Sequence, residues 1–193
     1  MKKFAIISLF LFFCSNVYAQ EIRSTFVSES AAGMINTSRG VVLKKEIFWD
    51  KPFSNTLLTS GITISPALIT VLSSEEKIPY VIIGSTFSSG INTSEYSSYI
   101  DLEDLPNCIG ALEYIIDSEL KTKPSHYVEC LYKSRDGLAI GAVYGDGLFG
   151  KRWMTYVKHE KYISDTTTWL SIDRFREILD ALKAAMDTLI EKM

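Results

Sequence analysis

Residues Ser171 to Met193, SIDRFREILDALKAAMDTLIEKM, restrict the fold more than any other stretch. Phe175, Ile178, Leu179, Leu182, Met186, Leu189 and Met193 recur at spacings of three and four, while Arg174, Glu177, Lys183 and Asp187 fall between them. That spacing predicts one amphipathic helix whose apolar stripe needs a surface to cover. An ungapped shift of 70 residues lays Leu170-Ser171-Ile172-Asp173 on Ile100-Asp101-Leu102-Glu103, Phe175 on Leu105, Leu179 on Ile109 and Leu182 on Leu112. A second helix is therefore expected over 102–120, capped by Asp101, with Pro106 tolerated in its first turn.

The other end of the chain reads as an address. Lys2 and Lys3 precede an apolar run from Phe4 to Phe13, and Val17-Tyr18-Ala19 offers small residues where a signal peptidase reads. The run is too short to span a bilayer, and Phe13 before Cys14 does not suit lipoprotein processing. Residues 1–19 are read as a cleaved signal peptide, and the mature chain as periplasmic or extracellular with no transmembrane segment. Loss of Lys2 and Lys3 leaves 18 basic against 23 acidic residues, so the net charge moves from −3 to −5. An acidic chain without a basic block lacks what nucleic-acid binding requires. Its remaining 174 residues suffice for one domain with a real core.

Between the two ends the chain punctuates itself as strands. Residues 20–39 have no sustained period and read as a leader or tether. From 40 to 193 a single compact domain is expected, made of two repeats, about 40–120 and 121–193. In the first, Gly40–Phe53 is a strand candidate, Leu57–Ile64 and Ala67–Leu72 are separated at Ser65-Pro66, and Tyr80–Ile83 is buried on both faces. Residues 84–98, rich in Ser and Thr, read as loop. In the second, His126–Lys133 alternates, Ser134-Arg135-Asp136-Gly137 is a hairpin turn, and Leu138, Ile140, Ala142 and Tyr144 share a face. Gly145–Gly150 turns the chain again before Trp153–Lys158, and Tyr162-Ile163 is expected as a short fourth strand. The class is α+β: two tandem β-meander-plus-helix units with antiparallel sheets, each closed by an amphipathic helix, arranged as a pseudo-twofold pair.

Chemistry leaves little trace in this pattern. His126 and His159 are the candidate general bases, yet neither has a nucleophile or orienting carboxylate beside it in sequence. The Gly145–Gly150 loop followed by Lys151 lacks the hydroxyl residue and helix of a phosphate cradle. Asp136 and Asp146 lack the alternating ligands of a calcium loop, and Cys108 and Cys130 with two scattered histidines make no zinc site. In an exported chain Cys108 and Cys130 are a candidate disulfide, with two buried thiols as the alternative. The glutamate–aspartate pair Glu103-Asp104 reads as helix capping. Tyr96, Tyr99, Trp153, Tyr156 and Trp169 are the candidate contact residues, because aromatics concentrate at binding hot spots. Trp49 reads as a core anchor or an exposed contact.

In element order alone, residues 41–193 resemble Whirly-type single-stranded-DNA-binding proteins. The lysine-rich strand motif of that family is missing and the chain is acidic, so the resemblance implies the layout without nucleic-acid binding. The functional expectation is an exported, non-catalytic binding or assembly module without a cofactor or metal. Its partner would be a protein, a glycan or a small molecule. The alternative is a small secreted hydrolase using His126 or His159.

Overall fold

The computed structural model describes residues 29–54, 60–89, 92–147, 150–162 and 166–193. The expected signal peptide lies outside them. Helix α1 (Ala31–Thr37) leads into β1 (Leu43–Ile47), β2 (Lys51–Ser54), β3 (Ser60–Val71), β4 (Glu76–Ser89) and β5 (Asn92–Asp101). A 3-10 turn at Leu102–Asp104, helix α2 (Leu105–Asp117) and a second 3-10 turn at Glu119–Lys121 follow. The second half is β6 (Val128–Lys133), β7 (Leu138–Gly147), β8 (Gly150–His159), β9 (Thr167–Leu170) and α3 (Ile172–Lys192).

The strands form two antiparallel sheets, of five and four strands, so the protein is α+β. In the first, β3 pairs with β4 and β4 with β5, while β1 and β2 share the other edge of β3. β1 lies along Ala67–Val71 and β2 along Gly61–Ile64. Three residues, Phe48 to Asp50, there oppose Ser65 and Pro66. The Phe48 N–H donates to the Pro66 carbonyl at 3.0 Å, so Pro66 turns its polar edge toward the break. Proline has no N–H for a ladder, and the bulged edge strand removes the need for one. Ser65-Pro66 therefore does not divide two strands as expected; β3 runs through it.

Two further expectations give way to pairing. Residues 85–89 and 92–98, read as loop, belong to the β4–β5 hairpin, where ten cross-strand pairs run from Tyr80↔Asp101 to Ser89↔Asn92. Threonine is β-branched and serine competes weakly once a partner strand takes the backbone groups. The fourth strand of the second half is Thr167–Leu170, not Tyr162-Ile163; Thr168 pairs with Val157 and Trp169 with Tyr156, while Ile163 lies outside the described residues. The β6–β7 turn is as expected, with Gly137 at φ 71 and its N–H donating to the Ser134 carbonyl at 3.1 Å. Gly141 is fixed by a close approach, since a Cβ there would sit 2.4 Å from the Cys130 carbonyl oxygen.

Between the sheets lies one core. Ile62, Ile64, Val81, Ile83 and Ile100 come from the first sheet, and Leu138, Ile140, Ala142 and Val157 from the second. Leu105, Cys108, Leu112, Ile115, Phe175, Ile178, Leu182, Ala185 and Leu189 join them from the helices. The helices are crossed between the halves. α2 packs chiefly on β6, β7 and α3, whereas α3 packs chiefly on β3, with further contact to β4 and β8. Each sheet is thus covered by the helix that follows the other sheet. Shifted by 70 residues, buried Leu105, Ile109 and Leu112 fall on buried Phe175, Leu179 and Leu182. Any two helices with this periodicity match equally well, so the shared layout does not establish a duplicated unit.

Within the stretch read as a tether, residues 31–37 form a docked helix. Ala32 packs with Ala67, Ile69 and Tyr80 on the outer face of the first sheet, and Ile35 lies against them. Its end is satisfied from two directions. Ser30 Oγ accepts from the Gly33 N–H at 2.9 Å, and the buried Asp101 carboxylate accepts from Ala31 and Ala32 at 2.7 and 3.1 Å. Asp101 makes no side-chain cap to the helix that follows it; it caps one 70 residues upstream. Arg135 donates at 3.1 Å to the same Asp101 Oδ2 that accepts from Ala31, and also binds Glu103 and Asp104. Glu103 and Asp104 are therefore anchors for the β6–β7 turn.

Candidate functional site

The two histidines have opposite surroundings. His126 is exposed in the stretch leading to β6, with Ser125 Oγ 3.4 Å from its Nδ1. His159, at the end of β8, has no exposed surface. Its Nδ1 lies 2.9 Å from Ser98 Oγ on β5 and its Nε2 2.8 Å from Ser85 Oγ on β4. The Thr166 hydroxyl accepts from the His159 N–H and donates to its carbonyl, at 3.1 and 2.7 Å. Burial, with the nearby Lys161 ammonium adding to it, lowers the imidazole pKa from 6.5 to about 4. A neutral imidazole has one donor and one acceptor nitrogen, and the two hydroxyls satisfy both. A serine beside a histidine has the atoms of a nucleophile–base pair, but Ser85 and Ser98 are themselves buried. No substrate reaches them.

His159 is one tie in a polar seam joining β5 to the second sheet. The Asp136 carboxylate, fully buried in the β6–β7 turn, accepts from the Tyr99 N–H at 2.9 Å and from Lys161 Nζ at 2.5 Å. Lys161 also stands over the Tyr99 and Tyr162 rings, 4.9 and 5.5 Å from their centroids. The Tyr162 hydroxyl donates to the Ser97 carbonyl at 3.1 Å and meets the Ser97 N–H at 3.5 Å. These side chains occupy the outward backbone groups of Ser97 and Tyr99 on β5, the edge strand of its sheet.

The aromatic candidates scatter. Tyr96 and Tyr99 are half-buried within the seam, Tyr96 stacked 4.7 Å from Tyr162. Trp153 is buried, with its indole N–H donating to the Thr122 carbonyl at 3.0 Å. Tyr156 is also buried and donates to Glu129 at 2.6 Å. Trp169 is 41% exposed and packs edge-on against Tyr156 at 5.7 Å. Trp153 and Tyr156 are thus packed within the protein, whereas the start of β8, at Lys151 and Arg152, is exposed. Cys108 and Cys130 are free thiols. Both lie in the α2–β6 layer, but Cys108 is near Asp104 and Tyr132 while Cys130 is near Glu119 and Glu129, toward the other end of the helix. Burial pushes the Cys108 thiol up to about 12, so it is an unreactive core group.

A surface with room for a ligand lies elsewhere. A groove of about 470 Å³ runs between the broken β1–β2 edge and α3, lined by Trp49, Lys51, Glu177, Asp180, Ala181 and Ala184. The bulge opposite Pro66 places Trp49 there, and its indole N–H donates to Thr188 Oγ1 at 3.2 Å, which fixes the ring as one wall. Ala181 and Ala184 have small side chains, so the helix side of the groove is open. Lys51 supplies a cation, and Glu177 and Asp180 supply carboxylates, Glu177 being shared with Arg174 at 2.6 Å. Sequence reasoning singled out Trp49 without assigning it a site, and no local pattern joins it to residues near 180. Among the described residues no group of three or more His, Cys, Asp or Glu is placed to hold a metal ion. No helix there is long and apolar enough to cross a membrane. The chain matches no protein-family model, and no curated protein shows significant similarity to it.

Proposed function

We propose that this protein is an exported, non-catalytic binding module that takes a small organic ligand or a single glycan unit in the groove beside Trp49. The groove itself carries the reading. Its volume of about 470 Å³ lies within the range of small-molecule sites, and it combines a fixed aromatic wall with a few polar groups at its rim. That arrangement suits a flat apolar face stacked on Trp49, with polar substituents reaching Lys51 on one side and Asp180 on the other. The enclosure of His159 weighs against the rival hydrolase, since a general base must reach the proton it takes. Export is supported by the Lys2-Lys3 start and the Val17-Tyr18-Ala19 end.

Two measurements test this. Protein recovered from its host should have the intact mass of a chain beginning at Gln20; a species retaining Met1, or a lipid on Cys14, sinks the export reading. A thermal-shift panel of monosaccharides, amino acids and short peptides on the mature protein should return at least one stabilising compound. Calorimetry with that compound should show Trp49→Ala weakening binding tenfold or more, while Trp169→Ala leaves it unchanged. Equal affinity of the Trp49 variant would place the ligand elsewhere, and turnover of a panel compound that is lost in His126→Ala would favour the hydrolase.

A further inference from the structure

We propose that the seam between β5 and the second sheet is an acid-sensitive latch, in which protonation of His159 parts β5 from the second sheet and bares the β5 edge. Its hydrogen bonds draw on few positions. From the second sheet come Asp136 and residues 159–162; from the first come Ser85 and residues 97–99. His159 is the central tie, since it reaches both β4 and β5.

The groups facing His159 decide what a proton does there. β4 and β5 present the hydroxyls of Ser85 and Ser98, and the segment before β9 presents Thr166. The Tyr162 ring lies 6.3 Å away. The charged neighbours are Lys161 and, through it, Asp136, whose Oδ2 already accepts from Lys161 and Tyr99. The serines can rotate to accept from both ring nitrogens, so hydrogen bonding does not oppose protonation. Charge does: an imidazolium would be enclosed beside the Lys161 ammonium, while the Asp136 carboxylate is already bound to that ammonium through Oδ2 and has only its buried Oδ1 without a hydrogen-bond partner.

Opening the seam admits water, and the imidazole then titrates near its ordinary 6.5 instead of about 4. The open form takes up a proton that the closed form refuses, so opening is favoured as pH falls from about 6.5 toward 4 and is insensitive to pH above that window. Between pH 7 and pH 5 these values raise the opening constant on the order of twenty-fold. What opens is specific. The Ser97 and Tyr99 backbone groups lose their side-chain partners, and β5 becomes a bare edge able to pair with another strand.

Hydrogen exchange on the mature full chain, corrected for intrinsic rates, tests the latch. From pH 7 to pH 5, protection of the Ser97 and Tyr99 amides should fall roughly twenty-fold, while that of Ile140 and Ala142 in the centre of β7 stays level. In His159→Gln, which offers one donor and one acceptor without titrating, the seam amides should show no such fall. Unchanged seam protection in the native chain, a parallel fall in β7, or the same fall in the glutamine variant would each overturn the proposal. Should that variant not fold, the imidazole resonances of the native protein still decide. A His159 ring that titrates near 6.5 while the seam amides remain protected refutes the latch.

Discussion

Replacing Leu182 with alanine should lower the free energy of unfolding by about 2–5 kcal/mol, and Leu112→Ala should do the same. Both side chains are completely enclosed, Leu182 on α3 and Leu112 on α2, and both belong to the single core between the sheets. Truncation removes buried methyl groups and leaves a cavity that two sheets and two helices cannot jointly close. A protein of this size has only about 5–15 kcal/mol in hand, so chemical denaturation should show a clear drop in midpoint with an unchanged slope. The neighbouring Lys183 is the internal control. It is about half-exposed and pairs with Glu113 across the helices at 2.7 Å; its replacement by alanine should leave the midpoint close to that of the parent. A Lys183 variant as damaged as the Leu182 variant would mean that α3 faces the other way.

The second large effect is expected at Asp136. Its carboxylate is 1% exposed and its partner Lys161 13% exposed, so Asp136→Ala strands a cation and the Tyr99 N–H in a nearly dry place. Breaking such a pair from one side costs about 3–5 kcal/mol. Removing both charges should cost much less than that, because a well-packed apolar pair often equals a buried ion pair. Asp136→Ala, Lys161→Met and the double variant form a cycle whose coupling should favour the native pair by about 2 kcal/mol or more. Additive losses would show that Lys161 swings into water and that the seam does not depend on this pair.

The parts of the fold that could be read from the chain are those with short-range causes. The stripe of α3 and the shared face of Leu138, Ile140, Ala142 and Tyr144 are one-dimensional patterns; these four are buried, as are Phe175, Ile178, Leu179, Leu182 and Leu189, while Met193, expected to end the stripe, is exposed. The Asp136-Gly137 turn is similarly local. What escaped was set by distant partners. Ser and Thr residues of 85–98 suggest loop until β4 and β5 pair, and Pro66 suggests a break until a bulged edge strand accommodates it. α1 is too short to be stable alone and depends on Asp101, which nothing within its own seven residues announces. The site shows the same limit more sharply. Ser85 and Ser98 lie 74 and 61 residues from His159, and Thr188 lies 139 residues from Trp49. His159 stands out in sequence only as one of two histidines, and its enclosure has no signature there.

The crossed helices also set the order in which this chain can become a protein. The first sheet is complete in sequence at Asp101, yet the helix that covers its inner face begins 71 residues later, at Ile172. A nascent chain is therefore left with an uncovered apolar sheet until residues 172–192 are made, and α2 waits for β6 and β7. Neither half is a folding unit that can be completed first and kept. Assembly must come late and nearly all at once, dominated by contacts between far-apart segments, which slows folding. Under the export proposed above, such delay would suit a chain threaded through a membrane before it folds: α3, which follows β5 by 71 residues, is the helix that closes the first sheet.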